Sequence, residues 1–558
     1  MNLETDCKLQ AEDPEGQAAA MPAVGGFQSS IVNRQSSIPP IVNRQSSILV
    51  LALLAITLLL PLWSRARQYP PNVPPPKAAV LPGPALRTLP NGLQVVVIER
   101  HSLPLITLRL VVKAGAEADP PGLPGTAQFV VGLLDEGTTS KTALQIAEAI
   151  DQVGGTVQTG ADWDESYVTL SVLTDHAEMA FDLMADMALR PAFAPAEVER
   201  GRKQLLSSLE IQHEDPSYLA DAIFDHAVFA GTPYNHPADG TPESVARIGA
   251  EDLRRFHLRN YRPSNSILAV VGDISAAEAF TLAEKFFGLW REQGTSALAS
   301  APSIENSAPP PIPSRRIILI DKPDAVQTEI RVGNPGIRRD SPDYEALTMA
   351  NDILGGPATN RLFHSLRSEH GLTYGASSDL VCRRTAGSWV AKTSTRTRET
   401  MKAIKLILDE MKRLRDHAPD EAELDTTRSY LTGHLALEFE TSEGIATQVL
   451  ELMVHNLPLE YWNRFPARIQ DLSRQEVWER ARQFLDSDDA LIVLVGDAAS
   501  FERELRKLGE TRIIPLSSLD LGSRDLERPP ARVSAHQPLA RRMKGNQRLE
   551  GRELAAPF

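Results

Sequence analysis

Three short sequence blocks recur along this chain at an almost constant spacing, and this internal repeat constrains the fold more than any other feature. The blocks are residues 106–115, 194–199 and 270–273, and their echoes are residues 327–336, 418–423 and 494–497. The first pair is offset by 221 residues and the other two pairs by 224 residues. Near-constant offsets over three blocks indicate a duplicated domain. We therefore expect two homologous halves of roughly equal size.

Length and composition agree with such an architecture. The chain has 558 residues, which is more than one hydrophobic core usually holds, and 42% of them are hydrophobic. Apolar runs rich in β-branched residues predict strands at 94–98, 105–113 and 267–271, and amphipathic runs predict helices at 143–153 and 176–189. These patterns predict an α+β fold made of two tandem homologous α/β-sandwich domains.

Shifts in composition give the domain boundaries. We assign residues 87–293 to the first half and 315–513 to the second, joined by an Ala-, Ser- and Pro-rich linker at 294–314. Residues 65–86 have the composition of a proline-rich tether. Residues 1–44 contain a low-complexity Gln-Ser-Ser-Ile repeat and residues 514–558 are rich in Arg, Pro and Ser, so we expect both ends to be disordered.

Residues 45–64 form an uncharged, largely apolar stretch that is just long enough to span a bilayer as a helix. Trp63 and then Arg65 and Arg67 follow it, as is typical of a membrane interface. A cleaved signal peptide is the alternative, but the residues after the stretch offer no clean small-x-small cleavage site. We therefore expect a transmembrane or signal-anchor helix and a folded part that is periplasmic, although the flanking charges alone do not fix the orientation.

Charge and cysteine content exclude some classes of protein. The net charge of −14 and the isoelectric point near 5.5 argue against a nucleic-acid-binding protein, which would need a basic face. The two cysteines, Cys7 and Cys382, lie on opposite sides of the apolar stretch, so we expect no internal disulfide.

Residues 125–138 read Gly-Thr-Ala-Gln-Phe-Val-Val-Gly-Leu-Leu-Asp-Glu-Gly-Thr. This frame resembles the helix of the insulinase/pitrilysin family of zinc peptidases, of the mitochondrial processing peptidase type, which carries the motif His-x-x-Glu-His. There, two imidazoles one turn apart hold Zn²⁺, and the Glu takes a proton from metal-bound water. The two His positions fall on Gln128 and Gly132, the Glu position on Val131, and the family's remaining ligand, a Glu on a later helix, on Ser208. None of these residues can do its task, so we expect no metal site and no cofactor in this chain.

An ordinary buried helix is the alternative explanation of this stretch, since Phe129, Val130 and Leu133 have near-helical spacing. Further landmarks in the family's order favour the resemblance, among them the motifs at residues 233–241 and 260–265. His236 is the only histidine in these landmarks and has no neighbours with metal-ligand spacing, so we expect it to shape its loop.

Residues 351–374 resemble two further elements of the family, Leu-Gly-Gly-x-x-x-x-Arg-Leu-Phe and Leu-Arg-x-x-x-x-Leu-x-Tyr. The resemblance assigns substrate-binding roles to Arg367 and Tyr374. Guanidinium and phenol groups are donors that can hold a peptide carbonyl and stabilise the oxyanion that develops on it. The alternative is a structural Arg and a buried Tyr at the start of a strand.

The resemblance implies a clam-shell chamber and, because the zinc positions are lost while the Arg/Tyr pair is kept, a non-catalytic subunit of a two-component zinc peptidase. Zinc would then be bound only by an active His-x-x-Glu-His partner in a heterodimer, and the substrate would be a peptide or an unfolded protein. A non-proteolytic scaffold or binding protein of the same fold remains open. So does a self-sufficient hydrolase, although no Ser-His-Asp or Cys-His arrangement in the sequence supports it.

Overall fold

Two six-stranded mixed sheets organise the protein. The computed structural model describes residues 80–292, 312, 314–357, 359–523 and 526. The first sheet contains β1 (Ala85–Thr88), β2 (Gln94–Glu99), β3 (Leu105–Val112), β4 (Thr156–Ala161), β5 (Ser166–Leu173) and β6 (Ser266–Gly272). The second contains β7 (Arg316–Asp321), β8 (Gln327–Pro335), β9 (Ala376–Cys382), β10 (Gly387–Arg396), β11 (Leu491–Gly496) and β12 (Glu510–Pro515). Strands and helices coexist in both halves, so the predicted pair of α/β domains is confirmed.

Helices flank both sheets. In the first half they are α1 (Thr126–Val131), α2 (Ala143–Asp151), α3 (Ala177–Leu189), α4 (Pro195–Glu214), α5 (Pro216–Val228), α6 (Pro242–Arg247), α7 (Ala250–Asn260) and α8 (Ala276–Phe287). In the second half they are α9 (Tyr344–Gly355), α10 (Arg361–Phe363), α11 (Thr400–Asp416), α12 (Glu421–Glu438), α13 (Ser442–Val454), α14 (Tyr461–Asp471), α15 (Arg474–Phe484) and α16 (Glu502–Leu505). The strands expected at 94–98, 105–113 and 267–271 and the helices expected at 143–153 and 176–189 are all present, with ends shifted by one or two residues.

The strand order shows the duplication directly. The first sheet runs β1-β2-β6-β3-β5-β4 and the second runs β12-β7-β11-β8-β10-β9. The inner pattern is the same in both, because β2, β6, β3, β5 and β4 correspond in order to β7, β11, β8, β10 and β9. The outer edges differ: β1 comes from the start of the chain and pairs antiparallel with β2, whereas β12 comes from its end and pairs parallel with β7.

The two halves exchange one helix each. α5 of the first half lies on one face of the second sheet, against β8 and β11, and α13 of the second half lies on one face of the first sheet, against β3 and β6. The close approach of α5 requires a glycine in β8, since a Cβ at Gly333 would lie 2.7 Å from Cζ of Phe224. Leu219, Ile223 and Phe224 share an apolar cluster with strands β7 and β11. Each sheet therefore depends on a helix of the other half to cover one face.

This packing puts a continuous apolar core between the two halves. Val96, Ile98 and Val111 of the first sheet are less than 2% exposed and belong to one apolar cluster with Ile445 and Val449 of α13. A polar contact also joins α5 to the second sheet. The guanidinium of Arg331, buried in β8, donates to Asp221 Oδ1 of α5 at 2.8 Å. The contact between the described halves is thus a filled core.

The predicted boundaries also need correction at both ends. Leu81 falls in the predicted tether but is 1% exposed, and its backbone N–H and carbonyl both bond to the side chain of Asn463, at 2.7 and 3.1 Å. β1 begins at Ala85, before the predicted start of the first half. At the other end β12 continues to Pro515, and Leu521 and Leu526 are buried, so the folded part extends beyond residue 513. Leu81, Leu521 and Leu526 stand among prolines or polar residues, so the sequence around them has no periodic pattern that would predict a buried segment.

None of the helices in the part of the chain that the structure describes is long and apolar enough to cross a membrane. The predicted span at 45–64, most of the linker at 294–314 and most of the tail lie outside the described residues.

Two hairpin turns meet where the halves join, 162–165 between β4 and β5 and 383–386 between β9 and β10. The backbone N–H of Arg384 donates to Asp164 Oδ2 at 2.8 Å, and the hydroxyl of Tyr234 donates to Asp164 Oδ1 at 2.6 Å. The guanidinium of Arg384 also pairs with Glu117, whose side chain is 1% exposed. We refer to Glu117, Asp164, Tyr234 and Arg384 as the clasp. It joins the two halves through buried, charged hydrogen bonds, which are stronger than neutral ones.

Burial governs the electrostatics of the clasp. It raises the pKa of Glu117 to about 8, and the positive charge of Arg384 acts against this rise. The neighbouring Arg383 also contacts the first half. Its guanidinium lies 4.2 Å from the centre of the Trp163 ring and donates to Asp225 of α5 at 2.6 Å.

Replacement of Arg384 by alanine should therefore destabilise the protein by about 1–3 kcal/mol, because the buried oxygens of Glu117 and Asp164 would lose a hydrogen-bond donor. Chemical unfolding of the full chain measures this. Arg506→Ala is the matched control, since Arg506 pairs with Glu502 on one helix at the surface and its loss should cost below about 1 kcal/mol. Equal losses for the two variants would contradict a structural role of the clasp.

Candidate functional site

The helix with the zinc-motif frame, α1, is held at its start by a carboxylate and a glycine. Asp119 accepts hydrogen bonds from the backbone N–H groups of Gly125 at 2.6 Å and Ala127 at 2.7 Å, so that it satisfies donors that a helix start leaves free. Gly125 has a φ of 90°, and a Cβ there would lie 2.7 Å from the carbonyl oxygen of Asp239. Only glycine fits this approach. Contacts with the 233–241 segment thus fix where α1 begins.

The structure places three of the vacated positions on α1 or at its end. Gln128 is half-buried, Val131 is buried, and Gly132 is exposed and closes the helix with its N–H bonded to the Gln128 carbonyl at 3.1 Å. The nearest atoms to a Cβ at Gly132 would be carbonyl oxygens of its own helix, at 3.4 and 3.8 Å. Space for a side chain is therefore present where the second His would stand.

Ser208 lies exposed on α4. Gly201 of the same helix approaches α1 and the residues after it, since a Cβ there would lie 3.2 Å from Phe129 and 3.1 Å from Leu133. Positions seven apart share one side of a helix, so Ser208 lies two turns further along the side that faces α1. The assignment of Ser208 to the family's ligand position stays a prediction.

The residues at these positions do not fit zinc. Zinc in proteins is held by thiolate, imidazole or carboxylate groups, and the four positions offer an amide, an isopropyl group, a hydrogen atom and a hydroxyl. Within the described ranges there is also no group of three or more His, Cys, Asp or Glu side chains that could hold a metal ion. The frame of a zinc helix is present without its donors.

The nearest acidic residues are engaged elsewhere. Glu136, just beyond α1, forms an ion pair with Arg200, which also pairs with Glu197 at 2.7 Å. Burial raises the pKa of Asp135. These side chains line an open cleft of about 580 Å³ between α2, the edge strand β4 and the start of α4.

The Arg/Tyr pair is assembled in the second half. Arg367 lies on a π-helical turn, His364–Glu369, directly after α10; such turns are rare and frequent at functional sites. Its guanidinium donates to the carbonyl of Tyr374 and lies 4.5 Å from the centre of the Tyr374 ring and 5.2 Å from that of Phe363. The sequence predicted both residues, and the structure brings them into contact.

Tyr374 is 89% exposed. It lies in the loop 371–375, ahead of β9, so the alternative of a buried tyrosine at a strand start is wrong. The loop is fixed by threonines of β10, since Thr393 donates to the carbonyl of Gly375 at 2.9 Å and Thr395 donates to that of Leu372 at 2.8 Å. An exposed phenol is thus presented on a loop whose backbone is held in place.

Arg367 and Tyr374 form no hydrogen bond, ion pair or ring contact with α1 among the described residues. The structure therefore presents two separate features, a vacated helix in the first half and, in the second, a half-buried Arg367 in contact with an exposed Tyr374. Any chemistry that joins the pair to a zinc centre would need a centre on another chain.

His236 has the structural surroundings expected of it. A ring nitrogen lies 3.0 Å from the Pro237 carbonyl, the ring packs against Trp163 at 5.3 Å, and burial lowers its pKa. The sequence reasoning missed the clasp and also Arg396, which ends β10 beside the loop 371–375. The acidic turn 162–165 and the basic turn 383–386 follow equivalent strands of the repeat, and comparing them could have suggested their contact.

Comparisons with known proteins agree with this geometry. The family model Insulinase (Peptidase family M16) matches residues 94–241, and the model Peptidase M16 inactive domain matches residues 247–431. An uncharacterized zinc protease of Mycobacterium leprae is 28% identical over 376 residues, which are 66% of this chain and 82% of that protein. The non-peptidase homolog YmxG of Helicobacter pylori is 22% identical over 408 residues, 72% of this chain and 91% of its own.

Among solved structures, a peptidase M16 inactive domain from Pseudomonas fluorescens superposes with a TM-score of 0.69 at 29% identity. The match covers 74% of this chain and 98% of that one.

Two glycine substitutions test the geometry of the vacated helix. Gly132→Ala should leave stability unchanged or raise it by about 0.4–1 kcal/mol, because its φ of −67° suits alanine and the space is open. Gly125→Ala should cost more than about 1 kcal/mol, because alanine there is strained and meets the Asp239 carbonyl. Chemical unfolding of both variants gives the comparison. A large loss for Gly132→Ala would show that the position is not open.

Proposed function

The chain belongs to the insulinase family of peptidases, M16, and from this premise we propose that it is a non-catalytic subunit of a two-component zinc peptidase. It would complete the active site of a partner that carries His-x-x-Glu-His. One observation carries the proposal: the half-buried Arg367 contacts the exposed Tyr374, while the zinc-site positions of the same chain hold no zinc-binding groups.

The chemistry of the pair suits this task. During peptide hydrolysis negative charge develops on the carbonyl oxygen, and donors placed in advance stabilise that charge. The guanidinium of Arg367 and the phenol of Tyr374 are such donors. The substrate would be a peptide or an unfolded protein whose scissile bond lies at the partner's zinc, with the pair approaching from the opposite side.

The packing of the halves supports a second molecule as the other wall of the chamber. Helices α5 and α13 and the clasp fill the contacts between the halves. An active M16 homologue that faces the loop 371–375 would enclose the space that this chain leaves open. The name of the Pseudomonas relative, an M16 inactive domain, is consistent with a chain that supports catalysis without performing it.

A non-proteolytic scaffold is the second candidate. The label of the Helicobacter relative, a non-peptidase homolog, favours it, and so does the tight joining of the two halves. In that case Arg367 and Tyr374 would have no role in turnover, which makes their substitution the decisive comparison.

We place the folded part outside the cytoplasm, attached to the membrane by residues 45–64. The support is the uncharged stretch of span length in the sequence. Deletion of residues 1–67 should transfer the protein from the membrane fraction to the soluble fraction with unchanged secondary structure, as measured by fractionation and circular dichroism. A full-length chain that is already soluble would contradict the anchor.

The pair itself gives the main test. Arg367→Ala and Tyr374→Phe should each lower the turnover of the reconstituted complex at least tenfold, since loss of one such donor typically costs about 10²–10³ in rate. Assembly should not change, and any loss of thermal stability should be below about 1 kcal/mol, because the Tyr374 phenol is exposed and the half-buried Arg367 makes one hydrogen bond, to the Tyr374 carbonyl. Peptidase assays with the active partner, together with co-purification, measure these effects.

Arg398→Ala is the matched control, because Arg398 is 77% exposed and pairs with Glu399. Its turnover should stay normal. Metal analysis of the isolated wild-type chain accompanies the assay, and we expect no stoichiometric zinc. Normal turnover of the Arg367 and Tyr374 variants with a functional partner would leave the scaffold as the better explanation.

A further inference from the structure

Arg367 and Arg396 both donate to the loop that carries Tyr374, and neither has a carboxylate partner within the described part of the chain. Arg367 donates to the carbonyl of Tyr374, and Arg396, the last residue of β10, donates to the carbonyl of Gly371 at 3.3 Å. Both acceptors are neutral and belong to the loop 371–375. A guanidinium has five N–H donors, so each arginine keeps donors that this loop does not use.

Other cations near the loop are compensated. Lys392, four residues before Arg396, lies 2.9 Å from Asp379 and 3.2 Å from Asp221. Arg398 lies 3.4 Å from Glu399. Arg367 and Arg396 thus leave two guanidinium groups without a carboxylate partner beside one loop, in a chain whose net charge is −14. They create a positive potential around Tyr374.

The loop also holds these groups at a usable spacing. Gly371 and Tyr374 are three residues apart, so their carbonyls lie within roughly 11 Å of each other. Thr373 adds a bond from its hydroxyl to the Gly375 carbonyl at 2.7 Å, beside the bonds from Thr393 and Thr395 described above. A few residues of an extended peptide would reach both arginines without a large rearrangement of the loop.

We propose that Arg396, together with the N–H donors of Arg367 that the loop leaves unused, forms a carboxylate-binding site for the peptide substrate. Guanidinium groups match carboxylates by paired N–H donors, and charge-assisted bonds of this kind are the strong ones. The carboxylate would come from an acidic side chain or from the C-terminus of the peptide. This inference rests on the proposed function, and Arg396 acts in it as a specificity-determining residue for binding.

Binding to the full-length chain without a partner tests the site separately from catalysis. Three fluorescent peptides of the same length would be compared by anisotropy: one with acidic side chains and an amidated C-terminus, one neutral with a free C-terminus, and one neutral and amidated. The proposal expects at least one carboxylate peptide to bind about tenfold more tightly than the neutral amidated one, as for one charge-assisted hydrogen bond. The first two peptides distinguish the side-chain source from the C-terminal source.

The variants identify the residue. Arg396→Ala should remove most of this preference and Arg396→Lys should retain part of it, whereas Arg398→Ala, which removes the same charge at the same end of the sheet, should change affinity less than about twofold. Equal binding of all three peptides, or equal losses for the Arg396 and Arg398 variants, would overturn the site. If peptide preference is absent but the Arg367 and Tyr374 variants still impair the reconstituted peptidase, the inference fails and the proposed function stands.

Discussion

The exchange of one helix between the two halves is the constraint on which the rest of the structure depends. A sheet whose apolar face is exposed to water is unstable, because a packed sheet is stabilised by removing apolar surface area from solvent. α5 and α13 supply the missing covers reciprocally. Once this exchange is made, the turns 162–165 and 383–386 are brought into contact, and the clasp can form with its charges out of water. The duplicated chain is thus one cooperative unit.

The packing of the two halves bears on where a substrate can bind. The described contacts between the halves are filled by side chains, and the candidate binding regions lie on outer surfaces of the molecule. The cleft beside β4 and the loop 371–375 are both such surfaces, and each is built on elements whose positions the shared cores fix. A rigid base favours precise presentation of donors, which is what stabilisation of a developing charge requires.

Much of the fold was predictable because its signals are local. β2 and β6 are short apolar runs. The helix Ala143–Asp151 is preceded by Thr142, whose side chain accepts a hydrogen bond from the Gln145 N–H in a capping box. The helix exchange was not predictable, since α5 shows only that it has an apolar side and not which sheet covers it. Arg384 was missed for a similar reason: two adjacent arginines in a turn have the pattern of a solvated surface. At the site, sequence gave the contact partners Arg367 and Tyr374 but not the exposure of the phenol, which depends on how the loop leaves the π-helical turn.

The two features that resemble the family, helix α1 and the Arg/Tyr pair, differ in how far the stability of this chain explains them. The frame of α1 has structural reasons to persist, because Asp119 caps it, Gly125 permits its contact with the 239–240 turn, and Phe129 packs against Gly201. A helix so well embedded would remain whether or not it held zinc. The phenol of Tyr374 has no such reason, since 89% of the residue's surface faces water and the hydroxyl supports nothing else in the described structure. The Tyr374 ring is exposed to this degree although the Arg367 guanidinium bonds to the Tyr374 backbone carbonyl beside it. A molecule that covers the ring explains this exposure better than the stability of this chain does.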